Sequence, residues 1–403
     1  MRPLLLKLVF SLLISMALAP AQPQLSEAQL KAKAQKLAKQ FIIADGHVDI
    51  PYRLQHKWED ISKRTETGDF DYVRAKAGGI DVPFMSIYTP SELEQKGGAK
   101  ALADTLIDMV YGLAKSHPAK FAVAKSVADV RAQFRRGLIS LPMGMENGSP
   151  LEKNLANVQY FADRGIRYIT LTHGKDNHIS DSSYDSTHTW KGLSPFGRKV
   201  VMEMNRVGIM VDISHVSDDA FWEVMNITAT PAIASHSSCR TFTPGFERNM
   251  SDDMIKALGK NGGVIMINFG SSFVANNYRQ AESKMWATLG TKSITWNSPN
   301  AAEEARAYMK ENPLPFPNVS DVANHIDHVV KLAGIDHVGL GSDFDGVGDT
   351  LPIGLKDVSH YPNLIEELLK RDYSDRDIEK ICSGNVLRVW SEVEQTAKKM
   401  QNN

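Results

Sequence analysis

The amino-acid sequence predicts a (β/α)8 barrel, also called a TIM barrel. Two observations carry this prediction: short apolar runs alternate with amphipathic helical stretches from residue 41 onward, and the apolar runs number eight. Such alternation is typical of parallel strands joined by crossover helices, and eight strands close a barrel of this type. The predicted strands are residues 41–50, 80–88, 138–146, 166–173, 208–215, 231–236, 263–269 and 337–344.

Residues 1–21 have the pattern of a secretory signal peptide. Arg2 and Lys7 precede an apolar run at 8–18, and small residues follow it up to Ala21. The run is shorter than the roughly 20 residues of a membrane span. We therefore expect cleavage near Ala21, a secreted or periplasmic protein, and no stable membrane anchor. We expect residues 22–403 to form a single barrel domain, because no linker rich in Pro, Gly and Ser divides them.

Charge and cysteine content exclude several classes of protein. The 46 basic and 47 acidic residues give a formal charge of −1, and removal of Arg2 and Lys7 leaves 44 basic residues and a charge of −3. This balance gives no indication of nucleic-acid binding. Cys239 and Cys382 are the two cysteines, so the chain is not a disulfide scaffold, and the sequence does not decide whether they pair.

Capping residues mark several helix boundaries. A leading helix is predicted at 26–40, and Ser194 opens a helix that ends before Gly208. Ser217 and Ser251 are each followed by two aspartates and open two further helices.

Two segments depart from the alternation of strands and helices. Residues 271–318 contain two tryptophans, a polar helical stretch at 301–310 and closely spaced prolines at 313, 315 and 317. We interpret them as an inserted loop that forms a lid over the barrel mouth. Residues 362–399 are predicted to form two helices, broken near Ser374 and Asp375, that pack on the outside of the barrel.

Polar residues that suit a metal site follow the predicted strands. Each lies at the downstream end of its strand, and six strands contribute. In a (β/α)8 barrel these ends form one face, where active sites are built, so residues far apart in sequence converge there. The residues are His47, Asp49, Glu146, His173, His215, His236 and Asp343.

Taken alone, each residue also has a purely structural interpretation. His215 could cap the next helix, Glu146 could lie in a turn among glycines, and Asp343 could stabilise a loop. All of these roles would have to coincide at one end of the barrel, so a shared site is favoured. Five other histidines lie in polar stretches and are expected to be solvated: His56, His117, His178, His188 and His360.

The chemistry predicted for this set is metal-assisted hydrolysis. Imidazole nitrogens and carboxylate oxygens suit zinc, with manganese, cobalt or iron as alternatives, and one carboxylate could bridge two ions. Two ions roughly 3.5–4 Å apart would hold a shared water, lower its pKa toward ~7 and polarise a carbonyl oxygen. The sequence has no nucleophile elbow around a serine, no cysteine in a catalytic setting and no glycine-rich phosphate loop after a strand.

At these residues the chain resembles the membrane (renal) dipeptidases, peptidase family M19, a branch of the metal-dependent amidohydrolases. The resemblance covers nearly everything after the predicted signal peptide and is specific because its motifs occur in order. The motifs lie at 45–49 (DGHVD), 74–79 (RAKAGG), 144–146 (GME), 168–173 (YITLTH), 192–197 (GLSPFG), 212–217 (DISHVS), 235–238 (SHSS), 248–249 (RN) and 341–346 (GSDFDG).

The resemblance implies a role for each candidate residue. His47 and Asp49 would bind one zinc ion, His215 and His236 a second, and Glu146 would bridge the two. A bridging hydroxide would attack the peptide carbonyl of a dipeptide. The remaining residues would act on the substrate: His173 on the oxyanion, Arg248 on the free carboxylate, and Asp343 in proton transfer to the leaving amine.

The resemblance also implies a homodimer and tolerance of a C-terminal D-residue or of some β-lactams. The chain departs from the family pattern at Val48, usually Asn, at Asn147, usually a small residue, and in the 271–318 insertion. Two alternatives to a dipeptidase stay open. One is another amidohydrolase reaction at the same site, such as N-acyl-amino-acid or β-lactam hydrolysis. The other is a non-catalytic binding protein, which is disfavoured because all five ligand positions are intact.

Overall fold

The computed structural model describes residues 25–295, 298 and 300–402, and eight parallel strands in it close into a barrel. The order around the barrel is β1, β2, β5, β6, β7, β8, β9 and β10, with β10 paired to β1. The predicted (β/α)8 fold is confirmed. The strands are β1 Ile43–Val48, β2 Ile80–Tyr88, β3 Phe121–Val123, β4 Ile139–Leu141, β5 Met143–Glu146, β6 Ile166–Thr170, β7 Met210–Asp212, β8 Ile233–Ser237, β9 Val264–Ile267 and β10 Val338–Leu340.

The third predicted strand, 138–146, is two strands in the structure. β4 pairs with β3 in a separate two-stranded parallel sheet, and only β5 enters the barrel. Pro142 separates the two and has no N–H to continue a ladder. Several other strands end earlier than predicted, because the chain leaves the sheet where the polar residues begin.

Seventeen helices of α type surround the barrel in the described residues. Serine caps are confirmed at Ser26, Ser194, Ser217, Ser251 and Ser374, each accepting a backbone N–H from three residues further on. The helices are α1 Glu27–Gln40, α2 Ile50–His56, α3 Tyr72–Gly78, α4 Leu93–Lys96, α5 Ala99–Ser116, α6 Val127–Arg135, α7 Ala156–Arg164, α8 Pro195–Val207, α9 Asp218–Ile227, α10 Asp252–Lys260, α11 Ser271–Val274, α12 Asn276–Gly290, α13 Ala301–Glu311, α14 Val319–Ala333, α15 Tyr361–Lys370, α16 Asp375–Glu379 and α17 Asn385–Asn402.

The insertion at 271–318 lies at the barrel mouth, as predicted, but most of its described part is helical. It contains α11, α12 and α13, and Met285, Leu289 and Ala305 form a small apolar cluster between the last two. Side chains of α11 and α12 face the cleft above the strand ends. The insertion is therefore a folded lid with its own small core.

The C-terminal helix differs from the prediction that it packs outside the barrel. Trp390 of α17 is fully buried, with its ring centroid 5.5 Å from that of Phe84 on β2. Its apolar neighbours Val386 and Val389 join the cluster of side chains that fill the barrel interior, including Met266 of β9. Helix α17 thus covers the end of the barrel opposite the predicted site.

The predicted signal peptide, residues 1–21, lies outside the described residues. Within the described part of the chain, no helix has the length and apolar character that would suit a membrane crossing. Cys239 and Cys382 are both buried free thiols. The two cysteines therefore do not form a disulfide with each other.

Candidate metal centre

The five predicted ligands meet at the C-terminal end of the barrel. His47 lies on β1, Asp49 immediately after it, Glu146 at the end of β5, His236 on β8 and His215 after β7. All five are buried, with at most 7% of each residue exposed. Five polar residues buried together at one point need partners other than water.

Glu146 stands between two groups of ligands, with one carboxylate oxygen facing each. Its Oε2 lies 3.4 Å from His47 Nε2, which is also 3.3 Å from Asp49 Oδ2. Its Oε1 lies 3.1 Å from His215 Nε2 and 3.4 Å from His236 Nε2. This is the arrangement expected of a carboxylate that bridges two ions.

The donor atoms fit metal ions better than they fit one another. His215 Nε2 and His236 Nε2 are 2.8 Å apart, and His47 Nε2 is buried without a hydrogen-bond partner among the described residues. Two ring nitrogens facing each other at this distance share at most one proton. Triplets from this set, such as His47, Glu146 and His236, bring their donor atoms within 4.8 Å of one another. The residues present therefore suit nitrogen and oxygen coordination of metal ions.

A tyrosine on β6 orients the His47 ring. The Tyr168 hydroxyl lies 2.9 Å from His47 Nδ1 and donates to the Gly46 carbonyl at 3.0 Å. Because the hydroxyl proton goes to that carbonyl, His47 Nδ1–H must be the donor to Tyr168. Nε2 is then left with its lone pair toward Glu146 and Asp49, which is the tautomer that a metal ligand requires.

A parallel arrangement orients His236. The Ser235 hydroxyl donates to Asp212 Oδ2 at 2.6 Å and lies 2.7 Å from His236 Nδ1. Nδ1–H of His236 therefore donates to Ser235, and Nε2 faces Glu146 with its lone pair. Sequence reasoning missed Tyr168 and Asp212 as supports, although both lie in motif segments, because both lie inside the predicted strands 166–173 and 208–215 rather than at their ends.

The glycines beside the ligands allow this close packing. A Cβ at Gly46 would lie 2.4 Å from the Ser235 carbonyl oxygen, and one at Gly144 would lie 1.9 Å from the Tyr168 ring. Only a residue without a side chain fits at either position. The tyrosine that supports His47 therefore depends on Gly144 of the neighbouring strand.

Electrostatics at the centre favour neutral His215 and His236, an ionised Glu146 and a positive charge beside that carboxylate. Burial lowers the pKa values of His215 and His236 well below the ordinary value, which keeps both rings neutral. Burial opposes ionisation of Glu146, yet the histidines around it hold its pKa well below the usual range. Burial also disfavours charge on His47, but Tyr168, Glu146 and Asp49 raise its pKa well above the usual value. The centre therefore demands positive charge, which metal ions supply.

His173 and Asp343 flank the five ligands, as the sequence predicted. His173 follows β6, and its Nε2 lies 3.5 Å from Glu146 Oε1. Asp343 follows β10, has a left-handed backbone with φ of 64°, and accepts a hydrogen bond from Asn268 Nδ2 at 2.8 Å. Burial, with Asp49 and Glu146 nearby, raises the pKa of Asp343 to about 7. Asn268 had not been predicted as a site residue.

Arg248 is buried beside the cleft rather than open to it. Its two terminal nitrogens donate to Ser237 Oγ at 2.6 Å and to the His236 carbonyl at 2.7 Å, while Nε has no partner among the described residues. The guanidinium lies 5.3 Å from the centre of the Phe273 ring. Arg248 therefore supports the backbone of a ligand, and its predicted contact with substrate remains a prediction.

Above the ligands lies a cleft of about 810 Å³. Its floor includes Asp49, Glu146, His173, His215 and Asp343, and the lid contributes side chains from α11 and α12. A volume in the range of ~300–1,000 Å³ is typical of small-molecule sites. The size and the donor set together suit a small polar substrate.

One of the histidines predicted to be solvated is buried. His178 is 6% exposed, and its Nδ1 lies 2.9 Å from Glu94 Oε1. The polar stretch around His178 gave no indication of this contact, because its partner Glu94 lies on α4, far away in sequence. His178 is nevertheless not part of the metal centre.

Comparison with known proteins decides the family. A model of the membrane dipeptidases, peptidase family M19, matches residues 31–403. The chain belongs to the membrane dipeptidase family. It is thus a metal-dependent hydrolase of the dipeptidase type, and the resemblance stated from the sequence is confirmed.

A curated relative and a solved structure at 26% identity agree with the assignment to the membrane dipeptidase family, and a further solved structure shares the fold. Dipeptidase 3 of Mus musculus is 31% identical over 383 residues, which cover 93% of this chain and 69% of the mouse protein. The crystal structure of a probable dipeptidase from Pseudomonas aeruginosa has a TM-score of 0.79 at 26% identity and covers 92% of this chain and 100% of its own. A metallopeptidase from Rhodobacter sphaeroides, liganded with a phosphinate mimic of L-Ala-D-Ala, has a TM-score of 0.73 at 24% identity and covers 88% of this chain and 99% of its own.

Proposed function

We propose that the chain is an exported dinuclear zinc dipeptidase that hydrolyses the peptide bond of dipeptides. The observation that carries the proposal is the position of Glu146, whose two oxygens face different pairs of ligands. Export is supported by the signal-peptide pattern at 1–21.

Zinc is proposed because the donors are imidazole nitrogens and carboxylate oxygens with no thiolate among them. His47 and Asp49 would hold one ion, His215 and His236 the other, and Glu146 both. Two such ions would supply Lewis-acid polarisation of the scissile carbonyl and a water of lowered pKa.

Three further residues would act on the dipeptide. His173 faces the cleft beside Glu146 and would donate a hydrogen bond to the carbonyl oxygen as negative charge develops on it. Asp343, with its pKa raised to about 7, suits exchange of a proton at Oδ with the leaving amine. Arg248 would attract the free carboxylate through its buried positive charge.

Dipeptides with a C-terminal D-residue are included in the proposal. The Rhodobacter sphaeroides structure, which shares this fold, holds a mimic of L-Ala-D-Ala. L-Ala-D-Ala and L-Ala-L-Ala are therefore the first pair of substrates to compare.

The test is a dipeptide panel run together with metal analysis of the purified protein. We expect hydrolysis with two zinc ions per chain. Glu146→Gln should lower both bound metal and turnover, while Glu311→Gln, an exposed carboxylate at the end of α13, should change neither. Protein that binds two zinc ions but leaves every dipeptide intact would refute the dipeptidase assignment.

The alternative reaction is hydrolysis of N-acyl amino acids or β-lactams at the same centre. Arg248 favours it as much as it favours dipeptides, because all three substrates carry a carboxylate. Acetylation of the dipeptide amine separates the possibilities: a dipeptidase should lose activity on acetylated substrate, and an acyl-amino-acid hydrolase should not.

The homodimer implied by the resemblance is also part of the proposal. Light scattering of the purified protein should give twice the mass of the chain. Amino-terminal sequencing of the exported protein should show cleavage near Ala21.

A further inference from the structure

The lid contains a second cavity of about 320 Å³ beside the catalytic cleft. It lies between α12, α13 and the loop after β10. Most of its lining is apolar, with Glu282, Arg306 and Asp349 as charged members. Side chains that line it include Tyr278, Met285, Trp286, Ala301, Ala305 and Met309.

This cavity adjoins the cleft above the metal ligands. Glu282 and Trp286 of α12, and Thr350 of the loop after β10, line both spaces. These shared side chains form the boundary between the two spaces, so a group bound over the metal centre lies directly next to the lid cavity.

The position of the cavity around the barrel indicates which part of a dipeptide reaches it. The lid follows β9, and β9 lies between β8 and β10. Arg248 follows β8 and Asp343 follows β10. In the proposed function Arg248 attracts the carboxylate of the C-terminal residue, and Asp343 exchanges a proton with its amine. The C-terminal residue therefore lies over β9, directly beside the lid.

We propose that the lid cavity binds the side chain of the C-terminal residue and selects dipeptides in which that side chain is large and apolar. This inference rests on the proposed function and adds the substrate preference to it. The cavity has roughly twice the ~150 Å³ that accommodates benzene in a protein interior. Two methionines in its wall have flexible thioethers that adapt to aliphatic or aromatic groups.

A carboxylate at the entrance adds a second element of selection. Glu282 is half-buried, lines both spaces and lies beside the Ser272 hydroxyl. An acidic side chain entering the cavity would pass this carboxylate and lose its hydration there. Dipeptides that end in Asp or Glu should therefore be poor substrates.

The first experiment compares two matched series on the zinc-loaded enzyme. One keeps N-terminal Ala and varies the C-terminal residue through Gly, Ala, Leu, Phe and Glu, and the other reverses the order. We expect kcat/KM in the first series to rise at least tenfold from Ala-Gly to Ala-Phe and to fall for Ala-Glu. A steeper dependence on the N-terminal residue, or no dependence on either, would overturn the inference.

The second experiment fills the cavity. Ala305→Leu adds bulk to its wall, and Ala307→Leu adds the same bulk at an exposed position of the same helix that does not line it. Ala305→Leu should lower the ratio of kcat/KM for Ala-Phe to that for Ala-Gly at least tenfold, and Ala307→Leu should leave the ratio unchanged. Met309→Ala, which enlarges the cavity, should shift the preference toward the bulkiest residue.

The outcomes separate this inference from the proposed function. An enzyme that hydrolyses no dipeptide contradicts the proposed function itself. An enzyme that hydrolyses dipeptides, but whose Ala-Phe to Ala-Gly ratio is the same in wild type, Ala305→Leu and Met309→Ala, retains the function and refutes the cavity assignment. Equilibrium binding of Ala-Phe to the metal-free variants gives a readout that does not depend on turnover.

Discussion

Replacement of Tyr168 by Phe tests how the barrel prepares His47 for metal. The substitution removes the hydroxyl that lies 2.9 Å from His47 Nδ1 and leaves the ring that packs against Phe84. His47 Nδ1–H would then be a buried donor without a partner, which typically costs about 1–3 kcal/mol. At 1.4 kcal/mol per factor of ten, we expect zinc affinity at the His47 side to fall by roughly 5- to 150-fold.

The assay is competition for zinc against a chelator of known affinity, with circular dichroism to verify folding. The variant should lose one ion well before the other, because Tyr168 contacts only one of the two ligand groups. Tyr160→Phe is a matched control: that tyrosine is 37% exposed, and its hydroxyl binds Asp104, far from the centre. Its metal affinity should equal that of the wild type.

Zinc affinities unchanged from wild type for both ions in folded Tyr168→Phe would show that the reasoning is wrong. His47 would then be oriented by the barrel backbone rather than by the hydroxyl. Parallel loss of both ions would instead mean that Tyr168 acts through the general packing of the barrel interior.

Three further predictions follow from the structure. Arg248→Met should lower kcat/KM for dipeptides by roughly 10- to 100-fold more than for the same dipeptides with a C-terminal amide, because hydrogen bonds to charged groups contribute about 1.5–3 kcal/mol. Equal losses of kcat/KM on the free dipeptides and on the amides would contradict the carboxylate role. Burial lowers the pKa of His325 to about 4, so its neutral form favours the fold above about pH 6.5, and this stability is lost as the pH falls toward 4. The measurement is chemical denaturation of the metal-free protein: between pH 7 and 4 the free energy of unfolding of the wild type should fall by about 3 kcal/mol more than that of His325→Gln. At position 343, where φ is 64°, the Asp343→Gly variant should be more stable to unfolding than Asp343→Ala by about 1 kcal/mol. At position 146, in β5, the Glu146→Ala variant should be at least as stable as Glu146→Gly.

The barrel and the convergence of the candidate ligands could be predicted because both leave periodic, local signals. Each apolar run marks a strand, and each ligand lies at or just after the end of one, so the fold alone brings His47 and His236 together. The motif segments additionally identify the family to which these residues belong. No long-range contact had to be known in advance.

The supports and the lid could not be predicted in the same way. Tyr168 faces His47 across the barrel interior, and Asn268 reaches Asp343 from the neighbouring strand; neither contact has a local pattern. The burial of Trp390 beneath the barrel also depends on where α17 returns after the last strand. These features arise from tertiary packing, which single-sequence periodicity does not encode.

Two buried aspartates stabilise the turns that follow strands at the C-terminal rim of the barrel, where the site lies. Asp45 Oδ1 accepts the N–H of Ser342, and Asp212 Oδ1 accepts the N–H of Ser214, each at 2.9–3.0 Å. The residue after each serine, Asp343 or His215, has a left-handed backbone, with φ of 64° and 68° respectively.

A left-handed backbone costs a non-glycine residue roughly 1–2 kcal/mol, and it persists only where the surroundings enforce it. The aspartates supply that enforcement, since each fixes the peptide N–H immediately before the turn. The turn takes the functional side chain out of the strand's alternation and directs it toward the common centre. The same device places the proposed metal ligand His215 after β7 and the proposed proton-transfer carboxylate Asp343 after β10, so the strain at the rim serves the geometry of the site.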